Sequence, residues 1–200
     1  MNSGQTAERV YRAIKQRVGE RAFRPGDRLD PAQLADALNT SVTPVRDALH
    51  LLTGEGLVET RIGDGFRLPA IDAPALQDLY DWNSEVVGLA IRAWSGPPRP
   101  RNGATAPANV AEGVAELFDR AAEASRNIEH ARAVAALNDR LHPARLAEES
   151  VIDGVEEELA HLVALLAAGD AGALQRAVAA YHRRRRRAAA VVVRALYRAG

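Results

Sequence analysis

Cysteine is absent from this chain of 200 residues, and Lys15 is the sole lysine among its 26 basic residues. The absence of cysteine excludes a disulfide framework, a thiolate metal site and a cysteine nucleophile. No apolar run approaches the roughly 20 residues that a membrane span needs, and the N-terminal segment has no apolar signal core. We therefore expect a soluble, cytoplasmic protein without membrane contact, long enough to bury one domain core or two small ones.

Charge of one sign is also lacking, because 26 basic residues balance 26 acidic residues over the whole chain. The net charge of zero gives no argument for nucleic acid, membrane or acidic ligands. The distribution is uneven: residues 108–182 carry 6 basic and 13 acidic groups, whereas residues 183–200 carry 7 basic and none acidic. Residues 1–70 carry 10 basic and 9 acidic groups. These counts predict attraction between the two parts of the second half.

The first third of the chain alternates helical periodicity with turn signals. Asp30 before Pro31 is a helix-opening pair, and a Pro-Gly turn at residues 25–26 precedes it. Glycines at Gly63 and Gly65 allow a tight hairpin turn between two short apolar runs. The pattern predicts three helices and a β-wing. The predicted elements are helices Ala7–Val18, Pro31–Leu38 and Thr43–Gly54, and strands Leu57–Ile62 and Phe66–Leu68.

The rest of the chain has no strand signal and shows helical periodicity in five segments. The fold class that we expect is mainly α: an N-terminal winged helix-turn-helix (residues 1–69), a connector (70–74) and an all-helical domain (75–200). Prolines and glycines at 95–107 predict a flexible surface loop. Asp170 after Gly169 predicts a sharp corner between two antiparallel helices. The predicted helices are Ala75–Trp94, Ala108–Arg126, Ile128–Leu141, Val155–Ala168 and Ala171–Tyr197.

A specific motif lies in the third predicted helix and just after it. Residues 41–49 read S-V-T-P-V-R-D-A-L, residues 55–58 read E-G-L-V, and residues 63–66 read G-D-G-F. Over residues 6–68 the chain resembles the winged helix-turn-helix of the GntR superfamily of bacterial transcription regulators. In the helical part, the motif residues are Leu79-Tyr80, Asn138 to His142 and Leu165 to Asp170. Through them this part resembles the FCD (FadR-like) branch of that family, with a shortened domain. The resemblance implies a non-enzymatic regulator, and no serine-histidine-acid arrangement or phosphate loop is visible.

The resemblance implies a double-stranded DNA operator as partner, bound by a homodimer as a palindrome. A recognition helix reads bases with its N-terminal residues, so Ser41, Thr43 and Arg46 are the expected base contacts. Arg46 is the principal candidate, although pairing with a surface carboxylate is the alternative. The remaining candidates are architectural or phosphate-contacting positions: Pro44, Arg61, Gly63, Gly65 and Arg67.

Three positions depart from the family pattern near the expected DNA surface. Relatives commonly carry arginines at the positions of Val42 and Ala32, and the wing tip here carries Asp64, whose charge opposes phosphate. These differences predict modest affinity or an unusual operator, in which Val42 contacts a thymine methyl group.

The FCD resemblance also implies a small carboxylate effector held against a divalent metal such as Zn²⁺. Asn138 and His142 have the expected spacing of four residues, and Asp139 lies at three. The candidates on later helices are His161 and His182. Pro143 predicts a break in the ligand-bearing helix. The alternative is that these histidines are satisfied by neighbouring groups, which leaves an effector-blind regulator.

Five consecutive arginines, Arg183 to Arg187, cannot all lie on one helix face, because five positions sweep about 400°. At least one or two are therefore expected to point inward, and Glu156–Glu158 on the preceding helix is the expected partner. A carboxylate anchor and an auxiliary DNA-backbone contact are the other two interpretations of the arginine run.

For the chain as a whole, a helical carboxylate-binding or enzymatic module with a vestigial wing is the alternative from another functional class.

Overall fold

The computed structural model describes residues 3–61, 63, 65–96, 98 and 106–198. It divides the chain into two compact units, Met1–Ile71 with Leu196–Gly200 and Asp72–Ala195. The first unit ends inside the connector predicted at 70–74, and it also takes the last residues of the chain. Most of the loop predicted at 95–107 lies outside the described residues. No helix in the described part of the chain is long and apolar enough to cross a membrane.

The described residues of the first unit form three helices and a three-stranded antiparallel sheet in the order β1-β3-β2. The mainly α fold class, with its winged helix-turn-helix and helical C-terminal domain, is confirmed. The sequence predicted only a turn before the second helix, but a two-residue strand forms there and pairs with the wing. The elements are α1 (Ser3–Gly19), β1 (Arg28–Leu29), α2 (Pro31–Ala37), α3 (Val42–Gly54), β2 (Glu59–Arg61) and β3 (Gly65–Arg67).

The core of the first unit follows the helical periodicity of the sequence. Val10 and Ile14 of α1 are fully buried, and they pack with Val45 and Leu49 of α3 in one cluster. Phe66 of β3 joins the same cluster and anchors the wing to the helices. Each such side chain contributes roughly 1.5–3 kcal/mol of hydrophobic stabilisation. This core leaves the opposite face of α3 available to solvent.

Five helices form in the part of the second unit that the structure describes: α4 (Ala73–Arg92), α5 (Val110–Glu123), α6 (Ile128–Glu148), α7 (Val155–Ala168) and α8 (Ala171–Arg198), of which α8 runs on into the first unit. α4 begins two residues earlier than predicted, because Asp72 caps it and Pro74 fits its first turn. The predicted corner is confirmed: Gly169 adopts a left-handed conformation (φ 68°), and Asp170 Oδ1 accepts from Ala173 N at 2.8 Å.

The predicted break at Pro143 is wrong, because α6 continues through it to Glu148. An internal proline removes one helical hydrogen bond and costs about 3 kcal/mol. The residues beyond it compensate, since Ala144, Arg145 and Ala147 are buried against the rest of the bundle. Tertiary packing therefore overrides the local helix-breaking signal.

Candidate nucleic-acid interface and buried polar cluster

A short turn joins α2 to α3 and sets the direction of the second helix. Asp30 Oδ1 accepts from the backbone N–H of Ala32 (2.8 Å) and of Gln33 (3.2 Å), which fixes the start of α2. Asn39 takes a positive φ of 48°, and Thr40 N donates to Ala35 O at 3.0 Å. Asparagine tolerates this left-handed conformation better than most residues. The turn thus ends α2 and allows α3 to begin at Val42.

The first turn of α3 presents polar side chains to solvent. Ser41, Thr43 and Arg46 are exposed, Pro44 is half-buried, and Val45 is buried in the core. The structure thus places the three predicted base-contacting residues on one accessible surface, while Val45 packs inward as an architectural residue.

Arg46 forms no ion pair with any residue that the structure describes. The alternative of a surface carboxylate partner is therefore not realised in the described part of the chain. The backbone hydrogen bonds at the start of α2 hold the pKa of Asp30 below its usual range, and the nearby charges of Arg28 and Arg46 lower it further. The guanidinium of Arg46 remains available to an external acceptor.

The β-wing is a hairpin in which Glu59 pairs with Arg67 and Arg61 pairs with Gly65. Gly63 (φ 81°) and Gly65 (φ 75°) occupy a backbone region that favours glycine, so the hairpin needs both. Apart from the adjacent residues in the chain, no atom of the described residues lies within 4 Å of a Cβ added at either position. Among the described residues, nothing blocks a close approach to these two glycines by another molecule. Asp64, predicted to oppose phosphate, lies outside the described residues.

The two wing arginines, Arg61 and Arg67, differ in their exposure and in their contacts within the protein. Arg61 is exposed and lies 3.7 Å from Glu59 Oε2, a surface pair that contributes little. Arg67 is half-buried, and its Nη1 donates to the carbonyl oxygen of Gly26 at 3.2 Å. The ring of His50 packs edge-on against Phe66 with centroids 5.0 Å apart, which ties the wing to α3. Arg61 is thus the more available cation.

In the second unit, the predicted ligand residues do not converge. His161 is exposed on α7, whereas His182 on α8 is buried and uses both ring nitrogens, Nδ1 with Val178 O and Nε2 with Asn83 Oδ1, each at 2.8 Å. Asp139 and His142 are half-buried. Within the described ranges, no group of three or more His, Cys, Asp or Glu residues could hold a metal ion. These residues do not fit a divalent metal site.

Asn138 instead organises a buried hydrogen-bond chain. Its Nδ2 donates to Asp119 Oδ1 (2.9 Å) and to Ala115 O (3.0 Å), and its Oδ1 accepts from Arg145 Nη1 (2.8 Å). The guanidinium of Arg145 lies 5.3 Å from the ring centroid of Phe118. Arg145 is 2% exposed, and its Nη2 has no hydrogen-bond partner within the described part of the molecule. An unpaired donor on a buried cation is costly.

Tyr181, whose pKa the charge of Arg145 also affects, carries a second unpaired polar atom: its Oη is buried without a hydrogen-bond partner among the described residues. Burial, with the charge of Glu148 adding to it, raises the pKa of Tyr181 to about 12. Burial lowers the pKa of His182 to about 3, and the charges of Arg145 and Arg185 act in the same direction. At neutral pH both side chains are uncharged, so the arginines are the cations of this cluster.

The second cation, Arg185, pairs with two carboxylates. Its Nε donates to Glu148 Oε2 (2.8 Å) and its Nη1 to Glu158 Oε2 (2.6 Å), while the guanidinium lies 3.3 Å from the Tyr181 ring centroid. Burial alone would lower the pKa of Arg185, but its interactions with Tyr181 and the two carboxylates outweigh burial and raise it. The predicted pairing of the arginine run with the start of α7 is confirmed at Glu158.

Four residues of this cluster were not predicted from the sequence: Arg145, Glu148, Tyr80 and Tyr181. One signal was present: Arg145 and Glu148 lie three residues apart beyond Pro143. Extending the helical period through the proline would have placed both on one face. Because a break was predicted at Pro143, this spacing was not recognised as part of the helix.

A helix-turn-helix with an exposed first turn, joined to a glycine-tipped hairpin, defines the winged-helix fold. Residues 6–68 match the family model for bacterial regulatory proteins of the gntR family. This part of the chain, about a third of its length, is therefore similar to gntR-family regulatory proteins.

Two curated transcriptional regulators are each similar to part of the chain. The chain is 40% identical over 70 residues to the Nta operon transcriptional regulator of Aminobacter aminovorans, covering 35% of this chain and 33% of that protein. It is 28% identical over 81 residues to the uncharacterized HTH-type transcriptional regulator YdhC of Bacillus subtilis, covering 40% and 36%. The matches thus span about a third of the length of these curated relatives.

Solved structures share the fold over most of the chain. McbR/YncC of E. coli has a TM-score of 0.63 at 19% identity, with 92% of this chain and 96% of that chain covered. A GntR transcriptional regulator from Rhodococcus sp. RHA1 has a TM-score of 0.59 at 19% identity, with 92% and 97% covered. At this identity the likeness describes the fold alone.

Proposed function

We propose that this protein is a cytoplasmic transcription repressor that binds a two-fold-symmetric DNA operator as a homodimer and acts by occluding a promoter. The observation that carries the proposal is the exposed guanidinium of Arg46, without an ion pair among the described residues, beside Ser41 and Thr43. Regulation of transcription is also the activity that the names of the relatives state.

The chemistry of α3 suits base reading. An arginine at the start of a recognition helix can donate two hydrogen bonds to O6 and N7 of guanine. The hydroxyl groups of Ser41 and Thr43 can contact bases or phosphates. Val42 is 36% exposed, which leaves its methyl groups available to a thymine methyl group. Arg46 thus discriminates among base pairs, and Ser41, Val42 and Thr43 add further contacts to bases or phosphates.

The wing supplies contacts to the phosphate backbone. Gly63 and Gly65 permit a phosphate to approach the hairpin closely, and the exposed Arg61 provides a positive charge. Arg67 contributes less, because part of its guanidinium is used within the fold. These contacts position the domain without selecting a sequence.

Dimerisation follows from the small reading surface. One winged helix contacts too few base pairs to select an operator among the competing sites of a genome. Two copies related by a two-fold axis read two half-sites, and their discrimination multiplies. A palindromic operator is the expected consequence.

Substitution of Arg46 by alanine tests the proposal. On a duplex from the region upstream of the protein's own gene, we expect Arg46→Ala to weaken binding by roughly 1–3 kcal/mol per half-site at fixed salt. Arg12→Ala is the matched control, because it removes the same charge from an exposed arginine on α1 that pairs with Glu8. The measurement is a fluorescence-anisotropy titration on this duplex and on an unrelated duplex of equal length.

The loss should be confined to the operator duplex, because a base contact contributes nothing on unrelated sequence. Equal affinity of wild type and Arg46→Ala for the operator would refute the assignment. Failure of the wild type to prefer the operator over unrelated DNA would refute the proposed function itself.

A ligand-controlled version of this function is supported by the cluster around Arg145. A small carboxylate would satisfy the unpaired Nη2 of Arg145 and accept from Tyr181 Oη, which are two of the buried donors that lack partners among the described residues. We expect acetate, malate or citrate to raise the melting temperature of the wild type, and to do so less in Tyr181→Phe. If none of them shifts the melting temperature, the regulator is effector-blind.

A further inference from the structure

The structure divides the arginine run of α8 into three groups. Arg185 is buried and paired inside the bundle. Arg184 and Arg186 are paired at the surface, with Glu158 (3.7 Å) and Asp81 (3.1 Å). Arg183 and Arg187 are exposed and form no ion pair with any residue that the structure describes.

Two more arginines of α8 share the face of this last pair. Arg176 and Arg194 are exposed and likewise lack an ion pair within the described ranges. At about 100° per residue, all four side chains leave the helix within about 40° of one another. We call Arg176, Arg183, Arg187 and Arg194 the arginine stripe. It runs for about 27 Å along α8.

Nothing on α8 shields the stripe. The helix carries eight arginines and no acidic residue. The other exposed positions on the same face are Gly172, Ala180, Ala190 and Arg198. The first three side chains are too short to cover a guanidinium, and the fourth is another cation. Arg183 and Arg187 are four residues apart, a spacing at which like charges repel along a helix. This repulsion between like charges is unfavourable in the free protein, and it is relieved when a bound polyanion neutralises the arginines.

We propose that the arginine stripe is a second DNA-binding surface, which contacts the phosphate backbone of double-stranded DNA without reading its sequence. This inference rests on the proposed function. Duplex DNA carries one negative charge for about every 1.7 Å of its axis, so arginines spaced about 6 and 10.5 Å apart can each find a phosphate. Arginine also matches phosphate oxygens with paired N–H donors.

The first unit carries little net positive charge with which to attract DNA. Residues 1–70 carry 10 basic and 9 acidic groups, so the winged domain brings a formal charge of only +1 to a polyanion. Phosphate contacts supply most of the non-specific part of DNA affinity. Four cations on α8 therefore supply attraction that the winged domain lacks.

The paired variant Arg183→Gln/Arg187→Gln tests the inference. Each phosphate contact contributes about 0.9 to the slope of log K against log salt concentration. We expect this variant to reduce the slope by about 2 per bound protomer, equally on the operator and on an unrelated duplex. Adding Arg176→Gln and Arg194→Gln should bring the reduction to about 3 to 4.

The matched control is Arg184→Gln/Arg186→Gln, which removes the same two charges from adjacent positions of the same helix. These arginines already pair with carboxylates, so we expect a slope close to that of the wild type. Circular dichroism melts on all variants confirm that each is folded. If the two double variants change the slope equally, the effect comes from net charge and the stripe is refuted.

Two outcomes separate this inference from its rivals. If the wild type binds the operator and the stripe variant has the same slope of log K against log salt concentration, the stripe does not bind DNA. The proposed function then still stands. If the stripe variant no longer self-associates in sedimentation equilibrium but keeps its salt slope, the stripe is a contact between two copies of the chain. This result would also overturn the proposal. A wild type that binds no DNA overturns both.

Discussion

Nε of Arg185 lies 2.8 Å from Oε2 of Glu148, and both side chains are almost fully buried, at 1% and 3% exposure. The second carboxylate oxygen of Glu148 accepts from the hydroxyl group of Tyr80 at 2.6 Å. Burial, followed by the charge of Glu148, raises the pKa of Tyr80 well above its usual range, so the phenol remains a donor. This contact joins α4, α6 and α8 through charged groups inside the bundle.

Removing the charge of Glu148 should destabilise the protein strongly. Glu148→Gln leaves the buried guanidinium of Arg185 with Glu158 alone, and breaking one side of a buried pair typically costs about 3–5 kcal/mol. We expect a loss of this order in the free energy of unfolding, measured by urea denaturation. Glu149→Gln is the control: its side chain is exposed, so a change of at most about 0.5 kcal/mol is expected. Similar losses in both variants would show that the buried pair is not special.

The buried ring of His182 should make stability depend on pH. The unfolded chain gains a proton near the usual histidine pKa of 6.5, whereas the folded ring resists protonation down to about 3. Because the unfolded state binds more protons in this window, stability is present above pH 6.5 and falls as the pH drops. Between pH 7 and pH 5 we expect His182 to account for a loss of about 2 kcal/mol.

Urea denaturation at several pH values measures this loss. His182→Gln should flatten the slope of stability against pH between 7 and 5, whatever its effect on stability at pH 7. His161→Gln, which alters an exposed histidine on α7, should retain the slope of the wild type. An unchanged slope in His182→Gln would show that other groups carry the pH dependence.

Two helical glycines should respond in opposite directions to alanine. At Gly113 of α5, a Cβ would lie 2.6 Å from Leu159 Cδ2 of α7, so either the Leu159 side chain or the two helices must shift. We expect Gly113→Ala to cost about 1–3 kcal/mol through overpacking. At Gly88 of α4, the nearest atom to a Cβ is Arg92 Nη1 at 3.5 Å, the end of a flexible side chain. Gly88→Ala should therefore gain up to about 1 kcal/mol from helix propensity.

Thermal denaturation of the two variants measures the contrast, with a lower melting temperature for Gly113→Ala and a higher one for Gly88→Ala. A gain in both variants would mean that Leu159 adjusts without cost.

The sequence by itself determined the winged unit almost completely. Its signals are local: the apolar spacing of Val10, Ile14 and Val18 places one face of α1 inward, and Asp30 caps α2 through its own neighbours. The positive φ of Gly63 and Gly65 is likewise a property of a short hairpin. The predicted α3 began at Thr43, one residue after its observed start at Val42. Local hydrogen bonds and side-chain periodicity decide these features, so the sequence displays them.

The interior of the helical unit was decided by tertiary structure. Pro143 breaks a helix in isolation, yet packing of the segment beyond it continues α6 and buries Arg145 and Glu148. Asn138 had the spacing of a metal ligand, but its amide bonds to Asp119 and Arg145 instead. Which arginine of the run turned inward depended on where Glu148 arrived, 37 residues earlier in the chain. Burial and charge pairing between distant segments act only once the helices meet, so no local pattern encodes them.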